Sequence, residues 1–108
     1  MSDYRTVGQL LTGTGATTIY TCPSFHKAEI SLFQVNNLHS GTVDLTAKAV
    51  LSSTDIPIVT TYSMAADEVM DVLNSNPISL NSADTIVVTA GAASKLNVVV
   101  TAKEVYTG

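Results

Sequence analysis

The chain has 108 residues, 13% of them charged, and a net charge of −4 from five basic and nine acidic side chains. This length suits one domain with a single modest core, and the acidity gives no electrostatic footprint for gripping phosphates, which argues against nucleic-acid binding. The only cysteine, Cys22, rules out an intrachain disulfide and a multi-cysteine zinc cage from one copy, and no apolar run approaches the eighteen or so residues of a membrane span.

The opening MSDYRTVGQLL lacks the charged and long apolar regions of a secretion signal. A protein made in the cytoplasm and not tied to a membrane is therefore expected. Val, Ile and Thr supply 34 of the 108 residues; their branched Cβ suits a pleated strand and crowds a helix. The fold class expected is all-β, with about eight short strands in one antiparallel β-sandwich of Ig-like or jelly-roll type, each bounded by Gly, Pro, Asn, Asp or Ser.

In chain order, residues 1–6 precede the first strand and are expected to form an N-terminal arm, with the sandwich domain over 7–108. Val7–Leu11 and Thr17–Cys22 are predicted as a hairpin whose turn, Thr12-Gly13-Thr14-Gly15, takes positive φ angles at its two glycines. Pro23 ends the second strand. A third strand runs from Ala28 to about Asn36, followed by the turn-rich NNLHSG. Val43–Leu51 alternates, with Val43, Leu45, Ala47, Ala49 and Leu51 on a dry face and Thr42, Asp44, Thr46 and Lys48 on a wet one.

SSTD makes the next turn, and Ile56–Tyr62 carries Pro57, which predicts a sheet edge or a strand end. SMAADEVMDVL fits two patterns. Ala66, Val69, Met70 and Leu73 trace a helical stripe with Ser63 as a cap; equally, Ala65–Glu68 is a turn into a strand, with Val69 and Asp71 on one face and Met70 and Val72 on the other. The strand is the more economical solution between short strands. A short ISL strand, a turn at Asn81–Asp84, a strand over Thr85–Ala90, a Gly-Ala-Ala-Ser hairpin and a long strand Leu96–Val105 complete the chain.

Few residues invite chemistry. Gly13 and Gly15 lack the Lys-Ser/Thr of a phosphate loop and the strand-to-helix setting of a dinucleotide fingerprint. Cys22 would be a nucleophile only with a base such as His26 in reach, itself oriented by a group such as Glu29 or His39; a buried filler thiol is the simpler expectation. His26 and His39 are expected in solvated loops, without further ligands at metal-site spacing. Asp67, Glu68 and Asp71 lack the two-residue rhythm of a calcium loop. Tyr4, Tyr20, Tyr62 and Tyr106 are scattered, and there is no tryptophan, so no stacking platform is evident. No catalytic residue, metal or cofactor is expected, and the chain is not expected to be an enzyme.

The motifs TTIYTCPSFHKAEISLFQVNN, MAADEVMDV and SADTIVVTAGAASKLNVVVTAKEV resemble small β-sandwich virion proteins of tailed bacteriophages. In those, an Ala-Ala-Gly-Glu turn starts one strand, an Ala-Asp-Thr-Ile turn starts another, and a Val-rich strand ends in glutamate. Asp67 stands here where that turn has glycine, and Asp tolerates left-handed backbone better than most residues. The resemblance implies a non-enzymatic virion component: a capsid decoration (cement) protein, a head fibre or a tail part, commonly a homotrimer, bound to a major capsid protein or another virion protein. The low surface charge fits such a role, because a soluble monomer generally keeps a richly charged surface. A receptor- or carbohydrate-binding module is the alternative, and it calls for Phe25, Tyr62 and Tyr106 to converge in a groove.

Overall fold

The computed structural model describes residues 2–108 and contains nine strands: β1 (Ser2–Leu10), β2 (Thr17–Thr21), β3 (His26–Asn37), β4 (Val43–Leu51), β5 (Thr54–Met64), β6 (Val69–Asp71), β7 (Ile78–Leu80), β8 (Thr85–Ala90) and β9 (Leu96–Tyr106). One sheet has the order β1-β9-β3-β6, with β7 also on β3; the other has the order β2-β8-β4-β5. All pairings are antiparallel. The chain measures 46 × 24 × 23 Å, and only its long axis accommodates the twelve residues of β3, which extend over roughly 40 Å at a strand's usual rise.

The pairing is nested. The first strand pairs with the last, β2 with β8, β3 with β6 and β7, and β4 with β5. This is the pattern of a jelly roll, in which one long folded-back ribbon wraps into two sheets; an Ig arrangement would instead set the first strands beside one another. Two hairpins expected from the sequence are therefore crossings between sheets. The 11–16 loop carries the chain from β1 in one sheet to β2 in the other, and the Gly91–Lys95 loop carries it from β8 back to β9. Because these loops bridge two layers, they need no two-residue reversal, and neither Gly13 nor Gly15 adopts positive φ.

The one same-sheet hairpin is β4–β5, where Ser52 and Ser53 take φ of 50° and 66° between the paired Leu51 and Thr54. Positive φ at both central residues is the mirror-image turn that matches strand twist. The region with two readings is a strand: Glu68 N–H donates to the Ala65 carbonyl, Asp67 sits at φ 59°, and β6 follows. Asp67 thus takes the left-handed third position of the turn, which glycine usually fills. β5 lies at a sheet edge with Pro57 in it, as expected.

The first strand starts at Ser2, five residues before the expected Val7, and residues 2–6 continue the β1–β9 ladder in register from Ser2↔Val105. The core forms where the dry faces meet. Ile30, Phe33 and Val35 of β3 and Val98, Val100 and Ala102 of β9 come together with Leu45, Ala47, Ile86 and Val88 of the second sheet. In β3 the buried set shifts from Ala28 and Ile30 to Phe33 and Val35, because a bulge between Ile30 and Leu32 reverses the alternation.

Candidate functional site

The residues singled out by chemistry do not assemble into a reactive centre. Cys22 is buried, and its thiol faces main-chain carbonyls, those of His26 at 3.5 Å, Pro23 at 3.8 Å and Leu80 at 4.0 Å. Burial first, then the carboxylates of Glu104 and Asp84, push its pKa up, so the thiol stays protonated and a poor nucleophile near neutrality. The His26 ring points to the Ser24 carbonyl, 2.8 Å from Nδ1, and packs edge-on to Tyr106.

His39 lies in the loop after β3, as expected, whereas His26 does not lie in a loop. His26 opens β3, and both His26 and His39 are half-buried. His39 is fixed at the far end of the sandwich, where its backbone N–H donates to Asn37 Oδ1. That buried Asn37 amide also donates to the carbonyls of Gly41, Met64 and Ala65, tying two loops to the end of β3. Of the acidic run, Glu68 is engaged in its own turn, accepting from the Ala65 N–H and from the Tyr62 hydroxyl, both at 2.8 Å, which raises the Tyr62 pKa, while Asp67 and Asp71 are exposed. Among the described residues, no group of three or more His, Cys, Asp or Glu side chains is placed to hold a metal ion.

The aromatic residues divide between the two ends. Phe25, at φ 61°, and Tyr106 are both exposed at the end where β3 begins, and Thr107 N–H donates to the Phe25 carbonyl. Tyr62 hydrogen-bonds Glu68, whose carbonyl accepts from Asn37 N–H at the other end of β3. Roughly 35 Å of strand separates the two groups, so Phe25, Tyr62 and Tyr106 do not share a groove.

One polar group was hidden in the sequence. Glu104 occupies a dry-face position of β9, continuing the series Leu96, Val98, Val100 and Ala102, and is buried. Its carboxylate accepts a hydrogen bond from the Tyr20 hydroxyl of β2 and lies 3.7 Å from Nε of Arg5 on β1. Burial, then the Glu104 hydrogen bond, drives the Tyr20 pKa far above its ordinary value. A carboxylate with two partners can persist inside, and here it binds β1 and β2, on opposite sheets, to β9. Strict alternation through VVVTAKEV marks position 104 as inward, and that inward glutamate was the available signal.

The remaining candidate is the outer surface and edge of the first sheet. Cross-strand register puts Tyr4, Thr6, Gly8 and Leu10 of β1 in line with Lys103, Thr101, Val99 and Asn97 of β9, and these with Glu29, Leu32, Gln34 and Asn36 of β3. Between the Tyr4 row and the far end, this face carries no charge on these three strands. Every described side chain of β1 is exposed except the half-buried Val7.

No protein-family model matches the chain, and no curated protein matches it. Solved structures do match in fold. A chain of Bacillus endospore appendages, described as disulfide-linked pili, superposes with a TM-score of 0.58 at 14% identity over 100% of this chain and 88% of that one. A chain of the acid-stable capsid of Helicobacter pylori bacteriophage KHP30 gives 0.53 at 12% identity over 99% and 89%. A chain of the T13 particle of infectious bursal disease virus gives 0.51 at 9% identity over 99% of this chain and 32% of that one. At such identities the likeness is one of fold: a jelly-roll sandwich of the kind found in capsid and pilus chains.

Proposed function

We propose that this protein is a structural component of a phage particle, most specifically a capsid decoration or cement protein, working as a homotrimer that binds a major capsid protein or another virion protein through surface complementarity. The observation that carries this reading is the charge-free stretch of β1, β9 and β3 beyond the Tyr4 row on the outer face of the first sheet, together with the exposed β1, on a fold shared with capsid and pilus chains. Apolar and hydrogen-bonding surface of that kind suits a protein interface, which typically buries around 800 Å² on each partner. A thiol turned toward carbonyls and the Glu68 and Asp84 carboxylates bound within turns support a mechanical role.

A tail or fibre module that binds a receptor or carbohydrate is the second reading. The three-residue groove it called for is not formed, and what supports it is the narrower pairing of exposed Phe25 and Tyr106 at one end of the sandwich, tied by the Thr107 N–H to the Phe25 carbonyl. Electron microscopy of particles carrying this chain separates the two. Hundreds of copies on the shell support decoration, a handful at a tail or neck support the second reading, and absence from particles rejects both.

A further inference from the structure

Every open sheet edge invites another strand, and three of the four edges here are blunted. β2 has five residues and a bulge between Thr18 and Tyr20. The edge beyond β3 is broken into β6 and β7, three residues each. β5 contains Pro57 and two register shifts. These are recognised devices against edge-to-edge association. β1 is neither short, broken nor bulged: it pairs with β9 over nine residues without a register shift and contains no proline, and its two charged residues, Asp3 and Arg5, lie on the inward face, where Arg5 is engaged with Glu104.

The hydrogen-bonding parity of β1 can be worked out. Leu11 N–H donates to the Leu96 carbonyl, in step with the β1–β9 register. Thr6 and Thr101 bring their hydroxyls within 3.0 Å, the close side-chain approach of a non-hydrogen-bonded pair. Both place the N–H and C=O of odd-numbered residues toward β9. Those of Ser2, Tyr4, Thr6, Gly8 and Leu10 therefore point away from the sheet, unpaired.

We propose that this edge is a docking site for a second copy of the same chain, β1 against β1, antiparallel about a two-fold axis through Thr6. The Thr6-centred register pairs the most of the described strand, whereas one centred on Val7 would pair only residues 4–10. Centred on Thr6, all nine residues pair, and the outward groups of each copy meet those of the other. Tyr4, 71% exposed, then lies opposite Gly8 of the other copy, where nothing stands within 4 Å of a would-be Cβ; an aromatic ring laid over an edge glycine is a known way to pin strand register. That ring reaches the rim of a depression formed by Gly8, Leu10, Asn36, Asn97 and Val99. Asp3 faces Gln9 and Arg5 faces Val7, so no like charges are directly opposed. Centring one pair earlier would set Arg5 against Arg5, a destabilising arrangement, and centring on Tyr4 would pair only residues 2–6 of the described strand.

A self-complementary contact of this type is isologous and generates pairs, whereas a closed trimer uses a different, head-to-tail surface. The proposal deepens the assembly reading by naming a partner, and its test separates the two. Sedimentation of the wild-type chain at high micromolar concentration gives an even number of copies: two if the two-fold contact acts alone, six if trimers also form. Thr6→Lys sets two like charges face to face on the axis and halves that mass, to one or three copies. Thr6→Glu does the same, and an equimolar mixture of the two variants restores the wild-type mass.

Thr6 is exposed, so both variants keep the fold, which circular dichroism verifies. Amide hydrogen exchange on the unmutated chain adds an independent reading: protection at Tyr4, Thr6 and Gly8 rises with concentration. A wild-type monomer or odd-numbered oligomer, an unchanged mass in Thr6→Lys, a mixture that stays dissociated, or concentration-independent exchange overturns the two-fold contact. Absence from particles would overturn the virion reading and leave this contact standing.

Discussion

β1 and β5 are the two long edge strands, one on each sheet, and they treat their neighbours in opposite ways. β5 runs eleven residues but carries Pro57, two register shifts and Thr61 at φ 49°, a conformation that costs a β-branched residue dearly. An ion pair of 2.8 Å between Lys48 and Asp55 holds its first half to β4. β1 is straight in register, and its described side chains are exposed except the half-buried Val7. The difference teaches that edge protection here is selective. A chain meant to stay alone would blunt its longest regular edge first, and this one leaves it open while distorting the other.

The same contrast governs how each strand contributes to stability. β5 inserts Met64, fully buried, and Val59 into the core, whereas the inward position of β1 nearest the core, Val7, is only half-buried. Met64→Ala is expected to cost about 2–5 kcal/mol, the range for emptying a buried site of that size. Val7→Ala removes less volume from a site open to water and is expected to cost under about 1 kcal/mol. Urea unfolding under conditions that keep the chain monomeric measures both. Equal costs would mean that β1 is built into the core as firmly as β5, and would break the comparison.

Much of this contrast was legible in the sequence, and the missing part has a physical cause. Strand positions follow from two-residue alternation and turn residues, so β4, β8 and β9 fall where the periodicity puts them, and Pro57 marks its edge without any tertiary information. Which strand pairs with which does not follow from local pattern. Gly13 and Gly15 between two strands suggest a hairpin, yet the nested topology makes that loop a crossing, decided by packing between elements distant in sequence. The chemistry-bearing residues show the same split. Cys22 is a buried thiol as composition suggests; the alternation of β9 marks Glu104 as inward, but its partners Tyr20 and Arg5 follow only once β9 is known to lie beside β1 and beneath β2.

Glu104 also sharpens the comparison, since it links β1, through Arg5, to β2 of the second sheet, through Tyr20. Glu104→Leu leaves the Tyr20 hydroxyl buried without an acceptor and frees Arg5, and should cost about 1–3 kcal/mol. Most of that should disappear when Tyr20→Phe is added, because the orphaned hydroxyl is then gone; a double-mutant cycle with additive costs would deny the coupling. The pH dependence has a definite sign. The Tyr20 pKa is raised on folding by burial and then by Glu104, so its contribution is complete below the unfolded value of about 10 and is lost as pH rises beyond it toward the folded value. The wild type should therefore lose stability more steeply above pH 10 than Tyr20→Phe does, and parallel curves would contradict it.

The smallest effects lie where the two strands meet their loops, and there the residue choices look reversed. β5 begins at a turn with serine at both left-handed positions, supported by the Ser52 N–H donating to the buried Asp84 carboxylate at 3.0 Å. β1 ends at a loop with two glycines, neither in left-handed backbone and neither with any atom within 4 Å of a would-be Cβ. Ser53→Gly relieves the left-handed penalty while leaving the Ser52–Asp84 bond, and should stabilise by about 1 kcal/mol, set against some loss from unfolded-state freedom. Gly13→Ala should stabilise by about 0.4–1 kcal/mol, because the native conformation accepts a side chain and the unfolded chain loses freedom. Thermal melts of the two variants resolve shifts of this size. A destabilised Gly13→Ala would show that the crossing loop after β1 needs glycine after all, for a contact that forms only when a neighbouring copy is present.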